Sequence, residues 1–336
     1  MHRVLSRFTG RFRGRQGTIL ILGAVIFTSL LVMSGVVVDL GQAYVQNSEL
    51  QKTADAAAFA ASTLLPIQVS NSVDQAAAEV LAREYLAKND PGEAEFVGID
   101  FGDTFTDSEE GELYTSVRVR LQRPVNYIFG PIIGLDGTTL SRHAKVRIEA
   151  VIGGIGLAPL GISKERRDAT AEGEVVAITF APTDEEVLNG TFGSLDLDGV
   201  AGGASSFEER FINGYFGDIV LNDPDHFLDS ENGVMFGKAK SGFDARYAQC
   251  THFPDQGGCT QEHYVSGCPR IIMIVIYERI EPHKYKPLGF APYLLDRFED
   301  KKIYVYPLTL KVKTGTTVPL NDFNYDFGLY RTRLVE

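Results

Sequence analysis

Thr18–Val38, TILILGAVIFTSLLVMSGVVV, runs directly into Asp39–Ser62, DLGQAYVQNSELQKTADAAAFAAS, and the reading of these two segments decides the fold. The first holds 21 residues and no charge. As an α-helix that length rises roughly 31 Å, which matches the hydrocarbon core of a bilayer. A transmembrane helix over residues 18–38 is therefore expected. Its flank sets the orientation. Arg3, Arg7, Arg11, Arg13 and Arg15 place +5 on residues 1–17 and no acidic residue precedes Asp39, so a formal net charge of −12 leaves −17 on the rest. Basic flanks stay in the cytoplasm. The expectation is a basic cytoplasmic tail, residues 1–17, on a single-pass protein of the cytoplasmic membrane whose bulk lies outside.

Two kinds of processing compete with a retained anchor. Gly41-Gln42-Ala43 has the form of a signal-peptidase site, but the apolar run before it is about twice the length of a secretory signal's apolar region. A prepilin-type cut after Gly17 would put Leu22 at the fifth mature position, where pilins usually carry Glu. Neither cut is expected.

Beyond the membrane exit, Ala43, Leu50, Ala57 and Leu64 recur every seven residues, and Asn47, Ala54 and Ala61 fill the alternate turn. The helix is expected to continue outward with a seam of small side chains. Such a seam lets a second helix approach closely, which makes the helix from Thr18 to about Leu65 a candidate assembly element, while the plain alternative for the seam is that alanine is a good helix former. Pro66 ends the helix. A second helix is expected from Ser72, where Ser72-Val-Asp-Gln75 fits a capping box and Ala77, Val80, Leu81 and Tyr85 line one side. It stops at Asn89-Asp90-Pro91-Gly92. The period then changes to two: Thr115, Val117, Val119 and Leu121 alternate with Tyr114, Ser116, Arg118 and Arg120, and Leu140, Ala144, Val146 and Ile148 repeat the pattern. Residues 39–152 thus predict a long helix leaning on an antiparallel sheet, a pilin-like plan.

Gly153, Gly154 and Gly156 loosen the chain, and residues 157–336 predict a mainly β extracytoplasmic domain. Strands are expected at 174–180, 192–197, 216–221, 270–277, 286–292 and 303–312. The continuous apolar run RIIMIVIY, Arg270–Tyr277, reads as a strand buried on both faces. Overall the class is α+β. The hydrophobic content of 44% supports sizeable cores, and a pI near 5.1 argues against nucleic acid as a partner.

The N-terminal stretch resembles the TadE/TadG-like proteins of the tight-adherence (Tad, or Flp) pilus system, on Arg15-Gln16-Gly17 before the apolar run, Asp39-Leu40-Gly41 at its exit, and Leu50-Gln51 with Ala54-Asp55-Ala56-Ala57-Ala58. More loosely, the second half resembles short TadG-like proteins through Ala158-Pro159-Leu160, Gly190-Thr191-Phe192-Gly193 with Leu195-Asp196-Leu197, Ile212-Asn213-Gly214-Tyr215, and Cys268-Pro269-Arg270-Ile271-Ile272. The resemblance implies a membrane-anchored, minor-pilin-like or assembly component. Its partners would be other Tad/Flp pilus or secretion-machinery proteins, and itself as a further candidate. Longer TadG proteins carry a von Willebrand A domain with an Asp-x-Ser-x-Ser metal motif, which this chain lacks. The competing reading is a membrane-anchored adhesin that works without a pilus.

No nucleophile elbow, phosphate-binding loop or dinucleotide fingerprint is present, so neither catalysis nor a cofactor is expected. Asp196 with Asp198, and Asp223, Asp225 and Asp229, have spacings seen at calcium sites but read more simply as turn carboxylates. The densest cluster is Cys250, His252, Cys259, His263 and Cys268. Zinc would want a tight Cys-x2-4-Cys pair, and both cysteine gaps hold eight residues, so one disulfide is favoured outside the cell, with zinc or three free thiols as alternatives.

Overall fold

The computed structural model describes residues 15–90, 94–107, 111–171, 173–180, 194–199, 203–221, 223, 225–230, 235–281, 283–320 and 326–335. Most of the basic tail, Pro91-Gly92, Gly190–Gly193 and the start of the strand expected at 192 lie outside them.

Helix α1, Arg15–Ala61, is continuous from the apolar run through the alanine-rich segment, with no proline before Pro66 to interrupt it. It tightens into a 3-10 turn, Ser62–Leu64, ahead of Pro66. Strand β1, Ile67–Gln68, leads to helix α2, Ser72–Asn89. The cap of α2 falls one residue before the expected box: the Asn71 side chain accepts from the N–H groups of Val73 and Asp74, both at 3.1 Å. Its buried face is also shifted, to Ala78, Ala82 and Leu86, with Val80 and Tyr85 left outside. The reason is the neighbour. Ala78 and Ala82 share a core with Ala54, Ala57, Ala58 and Ala61 of α1, and only small residues allow two helix backbones so close.

Beneath these helices lies a seven-stranded sheet. Strands β2 (Glu95–Asp107), β3 (Gly111–Asn126) and β4 (Gly137–Gly153) form its antiparallel body. Val117, Val119 and Leu121 of β3 and Ala144, Val146 and Ile148 of β4 turn into the core, on the expected alternation. Buried Arg123 on β3 pairs with Asp90 at the end of α2, and reaches Glu49 of α1 at 3.6 Å, which pins both helices to the sheet.

The chain then builds a second sheet from β5 (Leu157–Ser163), β6 (Val176–Thr179), β7 (Leu195–Asp196), β8 (Leu228–Ser230), β9 (Ile271–Glu281), β10 (Lys284–Glu299) and β11 (Lys302–Pro307). β9 is sandwiched as expected: Ile272, Ile274 and Ile276 enter one core while Val275 and Tyr277 enter the other. Two helices, Gly203–Asn213 and Phe236–Ala248, pack on this sheet through Phe207, Phe211, Ala239 and Phe243. They add α content to the half read as mainly β. The strand expected at 216–221 is not formed, and 303–312 divides into β11 and a separate β12, Leu310–Val312.

The chain's end departs from a linear division at residues 152–157. β12, β13 (Thr316–Pro319) and β14 (Leu329–Leu334) return to the first sheet: β13 and β14 pair antiparallel with β4, and β12 lies parallel to β14. Glu149 on β4 fastens this return. It is fully buried, takes Arg147 at 2.6 Å and the Thr317 hydroxyl at 2.5 Å, and lies 3.6 Å from Arg333. Burial pushes its carboxyl upward, but the Thr317 and Arg147 hydrogen bonds with the charges of Arg147 and Arg333 hold it below its ordinary 4.5. A depressed carboxyl stabilises the fold fully above that value and loses the contribution as pH falls through the folded one. Glu149→Gln should therefore lower stability at pH 7 by on the order of 3 kcal/mol. Thermal melts of both proteins at pH 7 and below pH 4 check this: the gap between them should narrow in acid, and a gap independent of pH would refute the role.

Candidate functional site

Little of the apolar half of α1 is covered by the rest of the chain. The consecutive residues Ile19, Leu20, Ile21 and Leu22 are 68%, 74%, 67% and 59% exposed, so the uncovered surface runs around the helix rather than along one stripe. Burying such side chains is worth roughly 1.5–3 kcal/mol each, so a surface of this size requires lipid or protein around it. One N-terminal helix of this length and composition suggests a membrane anchor.

At the C-terminal end of the apolar run a loop docks on the helix. Asp39, 3% exposed, accepts from the N–H of Ile128 at 2.8 Å, of Phe129 at 3.0 Å and of Gly130 at 2.6 Å. It satisfies the free donors at the start of the 3-10 turn Gly130–Ile133, as a helix cap does. Four residues earlier, Gly35 makes room for Phe129: a Cβ there would stand 2.8 Å from the Phe129 Cβ. The loop directs Ile128, Ile132, Ile133 and Leu135 outward, all exposed. An apolar tip is thus held against the helix where the apolar run ends.

The small-residue seam divides. Leu50, Ala54, Ala57 and Ala61 are wholly buried, Ala43 is half-buried and Leu64 is exposed in the 3-10 turn. Close helix approach does occur, but it is α2 of the same chain that approaches. The face read as open to a partner is therefore filled by the protein's own core, and the exposed surface of α1 lies before it.

Near the end of α1 is a cleft of about 820 Å³ lined in part by Thr63, Pro66, Arg167, Tyr264, Lys311 and Tyr330. Lys311 donates to the Thr63 carbonyl at 2.6 Å, where the helix dipole favours a cation, and burial pushes its ammonium down to about 8. Asp196 and Asp198 face Arg210, at 3.8 Å and 2.5 Å. The Asp223 side chain caps the N–H of Asp225 at 2.9 Å, a turn role.

Cys250, His252, Cys259 and Cys268 converge, with their donor atoms all within 4.8 Å of one another. His263 is exposed and outside the group. Sequence reasoning looked for two close cysteines and passed over Cys250-Thr-His252, which is itself the tight pair. In sequence, Asn126–Leu135 reads only as a short apolar segment between two strands. The alternation of Ile128, Phe129 and Ile132 with glycine and proline was the available signal for an exposed apolar turn.

Residues 17–80 match the family model for the Flp pilus-assembly TadE/G-like domain. The match covers α1 from Gly17 and the first half of α2, so this segment is TadE/G-like and supports a Tad/Flp pilus-associated role. No curated protein and no solved structure matches the chain.

Proposed function

We propose that the protein is a membrane-anchored assembly or minor-pilin-like component of a Tad/Flp-type pilus, acting without catalysis by helix packing and outward display. The observation that carries this reading is the uncovered apolar half of α1 within a TadE/G-like segment. Five arginines hold the N-terminus inside, α1 crosses the cytoplasmic membrane, and the two sheets stand outside. Ile128, Ile132, Ile133 and Leu135 dip into the outer leaflet beside the helix and fix its height and rotation. Partners meet the intramembrane surface of α1, because the extracytoplasmic seam is already occupied by α2.

A photoreactive residue at Leu22, Phe27 or Val37 of the full chain, expressed in its own host, should capture another pilus or secretion-machinery protein. Val80, on the outward face of α2, serves as the control and should capture none. If all three membrane positions yield lipid adducts alone while the full chain binds cells, the protein is an anchored adhesin and the assembly reading fails.

A further inference from the structure

We infer that Cys250, His252, Cys259 and Cys268 form a tetrahedral zinc site, three thiolates and one imidazole, that fastens residues 249–270 to the second sheet. The four residues bring their donor atoms within 4.8 Å of one another although they span 19 positions of the chain. Cys250 Sγ lies 3.4 Å from Cys268 Sγ and 3.8 Å from His252 Nδ1. In a zinc tetrahedron with bonds near 2.3 Å to sulfur, neighbouring ligand atoms stand about 3.8 Å apart. The cluster is close to that size before any ion enters.

The backbone is shaped to the same end. Phe253, Gly257 and Gly258 all take positive φ, at 49°, 77° and 107°, and fold the chain back so that Cys259 N–H points at Cys250 Sγ at 3.5 Å. The N–H of Arg270 points likewise at Cys268 Sγ, at 3.4 Å. Amide donors aimed at sulfur are the outer-shell pattern that supports a coordinating thiolate. Gly258 is required here: a Cβ on it would stand 2.9 Å from Arg270 Nη1 and 3.3 Å from Cys250 Sγ.

Charge gives an independent argument. The Arg270 side chain is 4% exposed, donates to the Leu295 carbonyl at 2.7 Å, lies over the Tyr247 ring, and forms no ion pair with a carboxylate among the described residues. A buried cation without a counter-charge is costly. Zinc with three thiolates and a neutral imidazole carries −1, and binding releases one proton from each thiol. That charge sits beside Arg270, across Gly258. A disulfide leaves this demand unmet, and it uses two of the sulfurs while stranding the third and the imidazole.

The test uses the full chain purified in detergent without chelator. We expect about one zinc per chain by elemental analysis, thiols that resist alkylation until the metal is stripped, and, after exchange with cobalt, thiolate charge-transfer and tetrahedral d–d absorption. His252 is only half-buried, so His252→Ala should keep the fold and weaken zinc binding by at least about tenfold, a loss that outer-shell changes already reach. A Cys–Cys bridge in non-reducing peptide maps of the protein as purified, before any metal is stripped, would overturn the inference. So would three freely alkylated thiols without metal, or cobalt that binds without thiolate bands.

Discussion

Replacing Ala57 by Phe is expected to unfold the N-terminal unit rather than leave a folded protein that fails to assemble. Ala57 has no exposed surface and shares its core with Ala54, Ala61, Ala78 and Ala82, the residues that bring α1 and α2 together. A ring added at this wholly buried position, between helices held close by alanine, forces them apart. Overpacking by a few carbons costs about 1–3 kcal/mol, and a whole ring between close helices should exceed that. Against a typical stability of about 5–15 kcal/mol, the melting temperature should fall by several degrees or the fold be lost. Val37→Phe, on the exposed apolar surface, should leave the melt unchanged. An Ala57→Phe protein that melts with the parent yet fails to assemble would show that the seam is open to a partner.

The difference between expectation and structure at this seam has a physical source. A repeat of small side chains announces that another backbone comes close, but periodicity carries no information about which backbone it is. α2 supplies it from the same chain, and its own alanines, Ala78 and Ala82, were displaced in the reading by the bulkier Val80 and Tyr85. The long helix, its end near Pro66 and the alternating faces of β3 and β4 were legible because each is written in local spacing. β9 was legible for a similar reason, since a continuous apolar run has no polar face to offer solvent.

What stayed hidden depends on distant contacts. The helix Phe236–Ala248 contains Gly237, Ser241 and Gly242, poor helix formers, and it is held by packing instead. Gly242 lies against the Phe211 ring, where a Cβ would stand 2.6 Å away. The return of β13 and β14 to β4 pairs residues more than 160 positions apart, which no local pattern reveals. The cysteine group was found as a cluster, but its geometry rests on the positive φ values of the loop and on β9 beneath it, neither of which spacing alone defines.

Deletion of the chain in its own host should have the largest effect of all, and it bears most directly on the proposal that α1 anchors a pilus-assembly component. Surface filaments counted by electron microscopy should disappear on deletion and return with the full chain. They should stay absent when residues 18–38 are replaced by an unrelated apolar helix of equal length, because the exchange keeps the anchor and removes the surface that meets partners. A strain that makes filaments in normal number without the chain, or in which the exchanged helix restores them fully, would contradict the role assigned to α1.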